Sequence, residues 1–431
     1  MKKLFISIAI TVIAAASSCT GRVSMEPLPE CYDGYLDERI SEIKGSLSNS
    51  RSSEIFIYFT DSHVVKDERT VTPQILTKAI KALKIKDVVF GGDATMTSMQ
   101  CADKNDIDLS WEKTNATSAA VKAAGASYYP VRGNHEITSG TIKPEHKGFT
   151  YSEENIYNIV MAPTRGEEIV EKGDTTCNYY YDNRRSRIRH VVVDPYSAAG
   201  EDLEVKYGIA MAHINDATEW VGHCVKTLPE GWHIILFIHQ GLNPITGYSD
   251  YGNCRGIREI VNANTDKFTM VLHGHVHKDC ETFENGVFHI CSTSCLYYED
   301  KMNIFDKDDR TFGTTNENAI DVVDFNPEGG RIDFHRIGGG YSRLFNITPI
   351  ELKAGESISL EPGLREIDGW KIYDCDGLHC TSWADWSDAY CDNFHAVCED
   401  GLVTALAPGE AIAAAIDTTS RTREYFYIVV K

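Results

Sequence analysis

Residues 54–63, Glu54-Ile55-Phe56-Ile57-Tyr58-Phe59-Thr60-Asp61-Ser62-His63, place an unbroken apolar run directly before two potential metal ligands. Ile55 to Phe59 reads as a buried strand, because a short apolar run of this length fits a strand better than a helix. The same arrangement recurs along the chain. Val88-Val89-Phe90 leads into Gly91-Gly92-Asp93, and Tyr128 to Val131 leads into Gly133-Asn134-His135-Glu136. Ile234-Ile235-Leu236-Phe237-Ile238 ends at His239, and Met270-Val271-Leu272 precedes Gly274-His275-Val276-His277. Each polar group thus stands at the C-terminal end of an expected strand. In layered α/β folds that edge is where ligand sites form.

Between the strands lie stretches of helical character. Residues 73–84 carry Ile75, Ile80 and Leu83 at helical spacing, and 111–125, 207–227 and 255–263 read as further helices. Strands are also expected near 188–194 and 287–291, with a closing hairpin of 320–325 and 331–336 about Pro327-Glu328-Gly329-Gly330. This alternation predicts an α/β fold with helices covering the sheet faces.

A D-x-H or H-x-H spacing in extended chain puts both side chains on one side of the strand. On that basis Asp61 with His63, and His275 with His277, are expected to converge. Taken in order, D-x-H, G-D, G-N-H-E, H and G-H-x-H resemble the signature of the calcineurin-like metallophosphoesterases over roughly residues 54–336. The resemblance implies a four-layer α/β/β/α sandwich holding two metal ions. Asp61, His63 and His277 would hold one ion and Asn134, His239 and His275 the other, with Asp93 bridging. Carboxylate, amide and imidazole donors without a thiolate suit Mn, Fe or Zn. Two such ions share a hydroxide that serves as nucleophile and clamp a phosphoryl group during in-line attack.

By the same resemblance His135 faces the leaving group as general acid. Arg132 matches an arginine that contacts substrate phosphate in the protein Ser/Thr phosphatases; a surface role is the other reading. The chain departs from that subfamily after Gly92-Asp93, where Ala94-Thr95-Met96 replaces Asp-Arg-Gly. Met96 also stands where purple acid phosphatases carry a metal-binding tyrosine, so a tyrosinate-bound iron is not expected. The remaining histidines, His213, His223, His273, His289 and His335, are read as packing residues.

After Gly338-Gly339-Gly340 the pattern changes to short alternating segments with turn residues. Residues 400–411, Asp400-Gly401-Leu402-Val403-Thr404-Ala405-Leu406-Ala407-Pro408-Gly409-Glu410-Ala411, resemble the bacterial group 2 immunoglobulin-like domain. A small all-β Ig-like sandwich is therefore expected over 344–431. It would be a folding unit separate from the 54–340 phosphoesterase domain, with 20–53 an N-terminal extension.

The chain has 431 residues, with 42 Lys and Arg against 63 Asp and Glu, a formal charge of −21. That field repels polyanions and argues against a long nucleic-acid partner, but not against a small phosphate ester held by metal ions. Lys2 and Lys3 followed by the uncharged run Leu4 to Ala16 read as a signal peptide over 1–19. Ala16-Ser17-Ser18-Cys19 resembles a bacterial lipobox, which would make the protein periplasmic or cell-surface and anchored to a membrane only through lipid on Cys19. Ordinary cleavage nearby is the alternative. Of 13 cysteines, 12 remain without Cys19, an even number that suits an oxidising compartment, and Cys375 with Cys380 and Cys391 with Cys398 are near enough for local bridges.

These readings predict an exported dinuclear-metal hydrolase of phosphomonoesters or phosphodiesters. Two alternatives stand beside it: a 5′-nucleotidase-like enzyme, and a non-catalytic surface binding protein on the same scaffold.

Overall fold

Phe56 and Tyr58 point one way from the first strand and Ile57 and Phe59 the other, and all are buried, so that strand needs a layer on each face. The computed structural model supplies both. It describes residues 27–64, 70–95, 104–136, 153–173, 177–196, 204–206, 209–211, 215–243, 254–296, 310–375 and 395–431. The targeting segment 1–19 with Cys19, and Met96, His213, Cys380 and Cys391, lie outside the described residues, as do parts of the long connections 94–110 and 137–175.

The first sheet ends in β1 (Glu54–Phe59), β2 (Asp87–Phe90) and β3 (Ser127–Pro130), which run parallel. The second holds β4 (Glu171–Lys172), β5 (Tyr179–Asn183), β6 (Ile188–Val193), β9 (His233–Ile238), β10 (Phe268–His273), β11 (Cys280–Glu284) and β12 (Val287–Cys291), in the order β11-β12-β10-β9-β6-β5-β4. The sheets meet face to face: Phe56 of β1 packs edge-on against Phe237 of β9, ring centres 5.8 Å apart. Helices α2 (Thr72–Leu83) and α3 (Lys104–Ala124) are continuous with the core of the first sheet. Helices α5 (Asn215–Lys226) and α6 (Arg255–Ala263) cover the outer face of the second, burying Val221, Cys224, Ile257 and Val261 against Val191, Ile234 and Leu236. A short α4 (Glu153–Met161) joins the core through Ile156 and Val160. The α/β class and its layers are as the sequence predicts.

Three expectations are corrected. The helix expected over 207–227 begins only at Asn215; before it, β7 (Glu204–Lys206) and β8 (Ile209–Met211) pair antiparallel. Gly208 lies between them, a residue that disfavours a helix interior. The extension 20–53 is partly core: α1 (Tyr35–Ser46) buries Leu36, Ile40 and Ile43, and Arg39 Nε donates to the Arg336 carbonyl, 2.9 Å.

The third correction concerns 344–431. Here β13 (Ala319–Asn326) pairs antiparallel with β1 and with β14 (Arg331–Gly338), and β14 pairs with β15 (Ser342–Leu352). Beyond β15 the ladder continues through β21 (Thr422–Val430), β20 (Gly409–Asp417) and β17 (Gly369–Asp374). These strands form one nine-stranded sheet, β17-β20-β21-β15-β14-β13-β1-β2-β3. The glycine run at 338–340 is a tight turn inside that sheet, not a linker. Gly338 at φ +100° sits against the Asn318 carbonyl, where no side chain fits. The C-terminal region is all-β and two-layered, because β16 (Ser357–Ser359), β19 (Leu402–Ala405) and β18 (Ala396–Glu399) cover its outer face around Val403, Ala413 and Ile428. The opposite face, with Ile412, Ala414, Tyr425 and Tyr427, belongs to the main core. Among the described residues no helix is long and apolar enough to cross a membrane.

Candidate metal centre

The loops leaving β1, β2, β3, β9 and β10 meet at one end of the two sheets. Backbone hydrogen bonds carry the pairing of β1 and β2 past their ends: Asp61 N donates to Gly92 O and His63 N to Asp93 O, each 2.9 Å. Gly274 N donates to His239 O, 3.0 Å, joining the β9 and β10 loops in the same way. The glycines are spatial requirements. A Cβ on Gly133 would lie 2.2 Å from Asp93 Oδ1, and one on Gly274 would lie 2.1 Å from Asp61 Oδ2.

The side chains converge for a reason other than the extended-strand alternation expected. Asp61, His63, Asp93, His275 and His277 all take left-handed backbone conformations, with φ of 53°, 42°, 56°, 70° and 57°. Such values are uncommon for residues other than glycine, and they collect where a surrounding structure enforces strain at a site.

Two donor groups result. Asp61, His63, Asp93 and His277 form one, and Asp93, His239 and His275 the other, with ligand atoms inside each group within 4.8 Å of one another. Asp93 belongs to both. Asn134, the one amide in the expected set, joins the second group, its Oδ1 lying 2.8 Å from His275 Nδ1. All seven expected ligands are thus brought together.

The donors suit metal ions. His63 Nε2 and His277 Nε2 face each other at 2.9 Å inside the protein, as do ligands that share one ion at about 2.1 Å. Burial pushes the imidazoles of His63 and His275 down, His275 to about 3, so both rings are neutral and present lone pairs. Burial also acts to lower His239, but Asp93 and Asp61 outweigh it and lift the ring to about 10. Two buried carboxylates there demand a cation, be it a proton or a metal ion. Asp61 Oδ1 lies 3.1 Å from His277 Nε2. Burial alone would raise the Asp61 carboxyl, but His239 and His277 hold it well below the usual carboxylate range. His239 Nδ1 donates to the Gly91 carbonyl, 2.8 Å, which turns Nε2 to within 3.0 Å of Asp93 Oδ2.

His135 lies beside these groups. Its Nε2 is 3.8 Å from Asp93 Oδ2, its backbone N–H donates to Asp93 Oδ1 at 2.8 Å, and burial lowers its imidazole to about 4. Arg132 is not the surface residue that one reading allowed. It is among the largest fully buried side chains, and Nη1 lies 3.4 Å from Asp194 Oδ2. His273 and His289 are buried in β10 and β12 and His335 in β14, as packing residues would be.

The sequence reading missed several supporting residues. Glu136 accepts from the backbone N–H groups of Asp93, Ala94 and Gly133, fastening the β2 loop to the β3 loop. Burial, then Asp93, raises its carboxyl to about 7. Its place as the last residue of G-N-H-E was the available signal. Thr60 Oγ1 donates to Asp61 Oδ2, 2.7 Å. Asp279, two residues past His277, accepts from Arg336 Nη1 at 2.9 Å and Nη2 at 2.8 Å, with Arg343 Nη1 3.4 Å away. No local pattern marked that pair of arginines, because they arrive from β14 and β15.

In sequence, a model of the calcineurin-like phosphoesterase family matches residues 56–279. No curated protein matches the chain. Among solved structures it is similar to a dimetal phosphatase from Danio rerio, at 13% identity and TM-score 0.48, over 67% of this chain and 98% of that one. It is also similar to a phosphopantetheinyl hydrolase from Mycobacterium tuberculosis, at 12% identity and TM-score 0.35, over 57% of this chain and 91% of that one. A putative 5′-nucleotidase from Staphylococcus aureus matches at 10% identity and TM-score 0.37, over 64% of this chain and 51% of that one. Because the family match spans more than half of the chain and takes in each strand end that carries a metal-site residue, the chain belongs to the calcineurin-like phosphoesterase family.

Proposed function

We propose that the protein hydrolyses small phosphate esters at a dinuclear metal centre held by Asp61, His63, Asp93, Asn134, His239, His275 and His277. The observation that carries this reading is the pair of buried donor groups sharing the single carboxylate of Asp93. A bound pair of ions, Mn, Fe or Zn by the donor types, would supply Lewis-acid activation of water and neutralise phosphoryl charge. The chain's own residues do the rest. Asp93 spans both groups, and Glu136 and the His135 N–H fix its position. His135 is the proton donor to the leaving oxygen: its ring is neutral before substrate arrives, and a phosphate anion docking beside it favours the protonated form. Arg132, buried and paired with Asp194, holds the start of the Gly133–Asn134 loop in place.

The net charge of −21 fits a small ester better than a long nucleic acid. Mono- and diesters both fit the donor set. Export, with lipid on Cys19, is part of the same proposal and rests on the pattern of residues 1–19. The immunoglobulin-like character of the C-terminal layers is likewise proposed from residues 400–411.

The test combines elemental analysis with turnover of p-nitrophenyl phosphate, bis-p-nitrophenyl phosphate and nucleoside monophosphates. About two ions per chain are expected, with hydrolysis of at least one ester class. Metal without turnover of any ester would leave a binding scaffold, and protein that takes up no metal would end the proposal altogether.

A further inference from the structure

Cys280 and Cys291 stand opposite each other across the β11–β12 hairpin, beside the metal loop but outside the ligand set. The hairpin turns through Asn285 and Gly286, at φ 51° and 90°, the two-residue turn that fixes strand register. That register runs back from Glu284↔Val287 to Cys280↔Cys291. Directly opposed residues on antiparallel strands have Cα atoms about 4.5–5.5 Å apart, inside the span that a disulfide bridges. Both residues carry thiols, and Cys280 stands among the groups that act on the Cys291 thiol.

Their surroundings differ. Cys280 is half-buried, whereas Cys291 is fully enclosed. Cys291 Sγ donates to the Gly274 carbonyl, 3.2 Å, one residue before His275. Enclosure keeps Cys291 out of reach of a small disulfide, and burial, then Cys280 beside it, holds its thiol well above its ordinary range.

We propose that Cys280 and Cys291 form a thiol–disulfide exchange site for small disulfides of the oxidised-glutathione class, and that its oxidation is felt at the His275 loop. The Cys280 thiolate attacks one sulfur of the small disulfide, whose S–S bond breaks and releases one thiolate. Cys291 then attacks the Cys280 sulfur of the mixed disulfide, and its proton passes to the second departing thiolate. Two protein thiols are oxidised to one disulfide, and one small disulfide is reduced to two thiols. The Gly274 carbonyl loses its S–H donor in the process. The exchange stands independently of the metal reading; the effect on the loop rests on it.

The full chain is incubated with oxidised glutathione, quenched by alkylation and mapped by peptide mass spectrometry. A Cys280–Cys291 link that dithiothreitol reverses is expected. Cys291→Ser should trap one glutathione on Cys280, while Cys280→Ser should leave Cys291 unmodified. Cys291→Ala repeats the trap should the serine variant fold poorly. Titration with Mn(II) should show several-fold weaker binding in the oxidised protein than in the reduced one. Two thiols that both stay alkylatable, or a link to another cysteine, would overturn the exchange site. Equal Mn(II) affinity in linked and reduced protein would overturn only the coupling, and failure of both forms to bind Mn(II) would instead point back to the metal reading.

Discussion

At the scale of single residues, Asp93 carries the most, since both donor groups need its carboxylate. Asp93→Asn keeps the shape but removes the charge that two cations share. It should lose metal from one or both positions and lower turnover by roughly a hundredfold or more. Elemental analysis beside kinetics checks this, and full activity in the variant would remove the shared-carboxylate model. His135→Ala should keep its metal and slow alkyl phosphates far more than p-nitrophenyl phosphate, whose leaving group needs little protonation. Equal losses on both esters would deprive His135 of its acid role. A third residue lies away from the centre. Glu54 Oε2 accepts from Asn183 Nδ2 at 2.6 Å, yet burial lifts this carboxyl from its ordinary 4.5 to about 7. The folded form therefore holds a proton that the unfolded chain gives up. Its stabilisation is complete below pH 4.5 and is lost as pH rises through 7. Glu54→Gln should accordingly gain stability at pH 8, by up to about 3 kcal/mol, and gain little at pH 4.5. Melting curves at the two pH values decide it.

At the scale of elements, strand ends and helix interiors ask opposite things of glycine. Gly274→Ala would drive a Cβ into Asp61 Oδ2 and Thr60 Oγ1, at 2.1 and 2.2 Å, both on the neighbouring strand end. The β10 loop must then move, and the variant should lose bound metal together with stability. Gly222 in α5 meets only Ile260 Cδ1 at 3.7 Å, so Gly222→Ala has room. It should raise stability by about 0.5–1 kcal/mol through helix propensity. Denaturant titration of both variants tests the contrast, and matching signs would refute it. The elements themselves were legible in the sequence. α2 and α6 fall within a residue of the stretches 73–84 and 255–263, because their apolar spacing reports a buried helix face directly.

At the scale of the whole molecule, the C-terminal strands and the metal loop are tied together. Arg343 on β15 reaches Asp321 Oδ2 at 3.2 Å and donates to Ser292 Oγ at 2.9 Å, and with Arg336 it surrounds Asp279 beside His277. Tyr427 of β21 stacks on Phe283 of β11, ring centres 3.6 Å apart, so the last strands also close over the second sheet. The sequence predicted that a chain ending near Gly340 would fold alone. The structure predicts the opposite: truncation there strips the partner from β14, uncovers Phe283, Phe288 and Phe334, and takes Arg343 away from Asp279 and Asp321. Having lost that sheet partner and that apolar cover, such a fragment should be insoluble or lack fixed tertiary packing, as near-UV circular dichroism would show. A soluble, metal-loaded fragment would restore the independent-unit reading.

The chain's order of apolar runs and polar endings determined the α/β class and the strand edge that carries the site, and the motifs at those endings, through the family resemblance, named the seven residues that converge there, because each motif is encoded within a few consecutive residues. Local pattern also exposed the all-β character of 344–431. It could not show that β15 joins β14, since an alternating strand has the same period whichever neighbour it pairs with. Nor could it show that Asp61 and His277 turn through left-handed backbone, since that strain is imposed by packing among five loops. The arginines behind Asp279 and the thiol behind Gly274 were decided in the same way, by contacts between segments far apart in sequence that only the closed sheet brings within reach.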